Sequence, residues 1–123
     1  MNPAYETSVF EVKGELPQSF LIITAYNPKG LNAPLSRNLH QDATLKSVLV
    51  NRGLAPVRVI GQSPDGHHQE PGWAVELDLA TGLEVARIFK QLAIYVVESN
   101  QLSLHDCYGT KKVELGDWES KVI

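Results

Sequence analysis

The 123-residue sequence predicts an α+β domain: a ferredoxin-like split βαββαβ two-layer sandwich whose antiparallel sheet gains an added C-terminal strand. Three observations carry that expectation. Residues 20–26, from Phe20 to Tyr26, are a dense run of β-favouring apolar side chains, too short for a typical helix and closed by Asn27-Pro28, which suits a central strand. Two later segments place apolar residues at three-to-four spacing behind capping-box pairs, Asn38 with Gln41 and Thr81 with Glu84. The order of elements is strand, helix, strand, strand, helix, strand.

Residues 1–18 form an N-terminal arm in which Ser8-Val9-Phe10-Glu11-Val12 alternates well enough to pair at a sheet edge before Gly14 and Pro17 end it. After the first strand, Pro28, Gly30 and Pro34 enforce a loop. A helix then starts at Ser36 or Asn38, with Leu35, Leu39, Leu45, Val48 and Leu49 as its stripe and Gly53 at its C-terminal cap. Pro56 to Gln62 is the second strand, Ser63 to Gly72 a polar loop, and Gly72 to Leu79 a third strand with Glu76 and Asp78 on a wetted face. The second helix runs from Thr81 through Phe89. Ala93 to Val97 is the fourth strand, and Ser99-Asn100 turns the chain into a fifth over Gln101 to His105. The tail 108–123 covers an edge or frays, leaving a core of 20–106 within one domain over 1–123.

Composition narrows the classes of function. Hydrophobic residues make up 43% and charged residues 20%, and no segment approaches the length of a membrane span, so a soluble, cytoplasmic protein without membrane partners is expected. No secretory signal is read in Met1 to Thr7. Eleven Lys+Arg against fourteen Asp+Glu give a net charge of −3, which disfavours nucleic acid as a partner. Cys107 is the single cysteine and excludes an intramolecular disulfide.

The topology predicts where function resides. If the first strand runs upward, its end, the start of the first helix, the loop from Ser63 to Glu70, and Lys90-Gln91 all lie at the same end of the sheet. Thr24, Asn27, Arg37, Asn38, Asp65, Glu70 and Gln91 thereby become candidate ligand-binding residues for a small polar or anionic molecule. The N–H groups opening the first helix, together with Arg37, favour the anion. Each feature also has a plain structural reading: Asn27-Pro28 and Pro64-Asp65-Gly66 are turn chemistry, and Asn38 a helix cap. No catalytic residue, resident metal or cofactor is assigned. Ser63 lacks a nucleophile-elbow setting, and His67 and His68 lack a recognised metal spacing.

The ordered combination Ile23-Thr24-Ala25-Tyr26-Asn27-Pro28, Asn38, Gly61-x-Ser63-Pro64-Asp65-Gly66 with Glu70, and Gln91-x-Ala93-Ile94 resembles a family of small bacterial proteins known as a domain of unknown function. The resemblance spans about residues 20 to 97 and implies that Thr24, Asn27, Asn38, Asp65, Glu70 and Gln91 belong to one shared feature. It implies no activity. Two alternatives remain at this stage: an interaction or homodimerisation module using the open sheet face or an edge strand, and a metal-dependent hydrolase built on Asp65, His67 and Glu70.

Overall fold

A computed structural model describes residues 3–123; Met1 and Asn2, which open the expected N-terminal arm, lie outside the described residues. Seven strands are present among them: β1 (Val9–Val12), β2 (Phe20–Thr24), β3 (Val57–Gln62), β4 (Gln69–Val75), β5 (Ala93–Glu98), β6 (Gln101–Asp106) and β7 (Lys112–Asp117). Two α-helices interrupt them, α1 (Leu35–Asn51) between β2 and β3, and α2 (Leu79–Ile88) between β4 and β5. The strands form one sheet in the order β1-β3-β4-β2-β5-β6-β7, and every neighbouring pair is antiparallel.

The unbroken apolar run of β2 reflects burial on both of its faces. Leu21 and Ile23 pack with Leu45 and Leu49 of α1 and Val85, Ala86 and Phe89 beside or within α2. Phe20 and Ile22 point the other way, into a second core with Phe10, Val59, Ala74, Val97, Leu102 and Trp118. That second core bends the sheet. Phe10 of edge strand β1 lies 4.9 Å, ring centre to ring centre, from Trp118, which follows the opposite edge strand β7. The chain beyond Trp118 completes the contact: Val122 bridges in parallel to Phe10, and the Ile123 N–H donates to the Phe10 carbonyl at 2.9 Å.

The architecture is therefore a curled half-barrel of seven antiparallel strands with two helices on its convex side. The ferredoxin-like two-layer sandwich expected from the sequence is wrong. Such a sandwich buries one sheet face, whereas here the arm supplies β1, the tail supplies β7, and both enclose an apolar concave face. Among the described residues both faces of the sheet carry buried core, the convex face beneath the helices and the concave face within the curl.

Several boundaries move with identifiable causes. Helix α1 begins at Leu35, and the N–H groups of Arg37 and Asn38 both donate to the Pro34 carbonyl, so Asn38 lies in the first turn and not at the cap. Asp78 is the N-cap of α2, accepting from the N–H and hydroxyl of Thr81 at 3.0 and 2.9 Å. The third strand thus stops at Val75, before Glu76 and Asp78. It starts at Gln69, inside the expected loop. Pro71 is accommodated there because β2 ends at Thr24 opposite Gly72, so this stretch of β4 pairs with β3 alone. Ser99 and Asn100 both take positive φ, as a tight hairpin turn between twisted strands requires. Among the described residues no helix is long and apolar enough to cross a membrane.

Candidate functional site

Hydrogen bonds join three of the polar segments singled out in the sequence and tie the first of them to Pro71, beside Glu70. Asn27 takes a left-handed conformation (φ 48°), which Asn adopts more readily than most residues, and its N–H donates to Asn38 Oδ1 at 2.9 Å. Asn38 Nδ2 returns a bond to Asn27 Oδ1 at 3.0 Å, an atom that also accepts from the Ala33 N–H at 3.1 Å. Gln91 Nε2 donates to the carbonyls of Tyr26 and Phe89 at 3.1 and 3.2 Å. The Lys29 N–H reaches the Lys90 carbonyl at 2.7 Å, and the Thr24 hydroxyl donates to the Pro71 carbonyl at 2.8 Å.

A cavity of about 470 Å³ opens beside this network, on the concave face. Strand parity explains its position. Side chains alternate between faces, so Thr24 continues the row of Phe20 and Ile22, Gly61 that of Val59, Gly72 and Glu70 that of Ala74, and Tyr95 and Ala93 that of Val97. Toward the middle of the half-barrel these rows carry bulky apolar groups that meet. Toward the Thr24 end they carry Gly61, Gly72 and Ala93, and space remains. Gly72 also permits close approach of β2, since a Cβ there would stand 2.9 Å from the Ile23 carbonyl oxygen. A short helical turn over Pro3–Thr7 walls one side, tied down where the Tyr95 hydroxyl donates to the Tyr5 carbonyl at 2.7 Å.

Glu70 dominates the electrostatics of this space. Burial pushes its carboxyl up to about 7, with the neighbouring Thr24 hydroxyl pulling weakly the other way. No lysine or arginine lines the cavity among the described residues. Burial likewise raises the Tyr5 and Tyr95 phenols, and the nearby Glu70 charge adds to both shifts. A carboxyl that titrates near neutrality can accept a proton or return one, the requirement for general acid–base chemistry. Two of the amides in the lining are those of Asn27 and Gln91. In each, one end is engaged, Asn27 Oδ1 as an acceptor and Gln91 Nε2 as a donor, while Asn27 Nδ2 and Gln91 Oε1 form no hydrogen bond with a described residue.

The seven expected site residues divide into three groups. Thr24, Asn27, Glu70 and Gln91 line the cavity. Asn38, 5% exposed, stands behind Asn27 and holds it. Arg37 and Asp65 are outside the lining and exposed. The Asp65 carboxylate organises its own turn: it accepts from the Ser63 hydroxyl at 2.6 Å and from the His67 N–H at 3.0 Å, and these bonds hold its pKa below the usual range. His67 and His68 reach the rim from this turn, both exposed. Among the described residues no group of three or more His, Cys, Asp or Glu side chains is placed to hold a metal ion. Cys107 lies in the convex-side core, where burial pushes its thiol up to about 11.

Sequence reasoning missed Tyr5, Gln62, Gln69 and Tyr95 as lining residues. Tyr95 could have been found from parity, two positions before Val97 on the same strand. Tyr5 had no such signal, because only the curl of the sheet brings the arm across.

The fold and cavity define this chain as a single α+β half-barrel with a polar cleft at one end. It belongs to the family described as a protein of unknown function, DUF3293, whose model matches residues 23–94, more than half of the chain. The matched stretch includes Thr24, Asn27, Asn38, Glu70 and Gln91. No curated protein and no solved structure matches the chain.

Proposed function

We propose that this protein binds a small polar molecule in the concave cavity, between Glu70 and the amides of Asn27 and Gln91. One observation supports the reading: a half-buried carboxyl without a cationic partner among the described residues shares with the amide residues Asn27 and Gln91 the lining of one space of about 470 Å³, a volume typical of small-molecule sites. The lining favours a neutral or cationic group over the anion suggested by Arg37, which stands elsewhere. A thermal-shift screen of the untagged protein against amino acids, amines, sugars and nucleotides tests it. A ligand that binds only the folded state at 100 times its Kd adds about 2.7 kcal/mol, a readily visible rise in Tm. The rise is expected in the wild type and lost in Glu70→Gln and Asn27→Ala; the same rise in both variants would rule this site out.

A second reading rests on Leu31, Leu35 and Leu39, which are 67%, 65% and 52% exposed near the start of α1. Three exposed leucines in one stretch suit self-association. Sedimentation showing a monomer at high concentration would remove it.

A further inference from the structure

Resting on the ligand-binding reading above, we propose that the molecule held in the concave cavity is a compact organic cation, a primary ammonium or a guanidinium, whose N–H groups are received by the Glu70 carboxylate and by Gln91 Oε1. Four observations converge. Glu70 is the only carboxylate among the described lining residues and forms no ion pair with any described residue. Burial drives such a carboxyl to hold a proton, and an opposite charge in contact is what would stabilise its ionised form instead. Gln91 lines the cavity with its NH₂ committed to the Tyr26 and Phe89 carbonyls, which leaves Oε1 as the amide atom with acceptor capacity to offer a ligand. The floor is apolar and aromatic, with Phe10 packed edge-on against Tyr95 at 5.0 Å, a surface that suits the alkyl stem of an amine.

The charged and titratable groups that face Glu70 agree with this assignment. Tyr5 from the N-terminal turn and Tyr95 from β5 are phenols held neutral by burial, and β2 presents only the Thr24 hydroxyl. His67 and His68 stand at the rim and are the other ionisable side chains among the described lining residues. An anion entering here would meet a carboxylate and two phenols. A neutral ligand would gain no ionic contact from Glu70, which would keep the proton that burial favours.

A matched probe series separates the outcomes: n-butylammonium, butyramide and butyrate, of nearly equal size, titrated into the full chain while the backbone amide resonances of Thr24, Gly72 and Ala93 are followed by NMR. Butylammonium is expected to shift these resonances and butyrate to leave them unmoved. Its affinity should fall about tenfold between pH 8 and pH 6, as Glu70 takes up a proton while the amine stays charged. Glu70→Gln should weaken it at least tenfold. Gly61→Leu, which extends from a position whose Cβ would lie 3.5 Å from the Phe10 ring, should block the cavity and abolish the shifts by an independent route. Butyramide or butyrate binding at these resonances as well as butylammonium, or instead of it, overturns the cation assignment and leaves the ligand-binding reading standing. No shift from any probe up to about 100 mM, where even a millimolar site is saturated, overturns both.

Discussion

Glu70 sets the pH response of the fold as well as the character of the cavity. Its folded pKa of about 7 lies above the ordinary 4.5, so the native state holds a proton that the unfolded chain has released between those values. Its contribution to stability is therefore greatest below pH 4.5 and declines as pH rises through 7. A shift of this size corresponds to roughly 3 kcal/mol. Glu70→Gln is accordingly expected to be more stable than the wild type at pH 8, by 1–3 kcal/mol as an order of magnitude, and nearly equal to it at pH 4.5. Urea titrations of both proteins at the two pH values measure the difference directly. Asn38 behaves in the opposite way. It exchanges two hydrogen bonds with Asn27 while almost wholly buried, so Asn38→Ala should cost about 2 kcal/mol and release the Asn27 loop, visible as faster amide exchange at Asn27 and Ala33. Residue type alone marks Asn38 as a helix cap; its actual role follows from Pro34, which moves the helix start forward and turns the amide toward the preceding loop.

At the scale of elements, strand β4 decides the site. Pro71-Gly72 reads as a loop signal in the sequence, yet Gln69–Val75 is a continuous strand because β3 pairs with it along its length. Placing Glu70 on a strand instead of in a loop fixes its side chain by parity on the concave face. Asp65, five residues earlier, remains in the turn and is consumed by it. Gly72 and Gly61 share that face but not the same tolerance. A Cβ at Gly72 would meet backbone oxygen at 2.9 Å, while one at Gly61 finds ordinary contact distances. Gly72→Ala is thus expected to destabilise the protein by about 1–3 kcal/mol through overpacking against β2, and Gly61→Ala by less than half as much. Thermal unfolding of the two variants side by side checks the ordering. The cap of α2 offers a further comparison: Asp78→Ala should cost about 1 kcal/mol, the usual value for a lost N-cap.

For the whole molecule, the decisive contact is the one between the two ends of the chain. Trp118 is 6% exposed and meets both Phe10 at 4.9 Å and Phe20 at 5.3 Å. Trp118→Ala should cost about 3–5 kcal/mol and open the concave core, raising binding of a hydrophobic dye and loosening the Pro3–Thr7 turn beside the cavity. An unchanged melting temperature would show that the half-barrel stands without its closing segment. Local pattern was enough to read a mixture of strands and helices, a central strand opening at Phe20, and two amphipathic helices in the observed order. Those features depend on short-range periodicity, turn residues and connectivity. The curl of the sheet and the choice of which polar groups face the cavity were decided only by tertiary structure. Both depend on side chains from opposite ends of the chain meeting across the concave face, and no local pattern encodes that meeting.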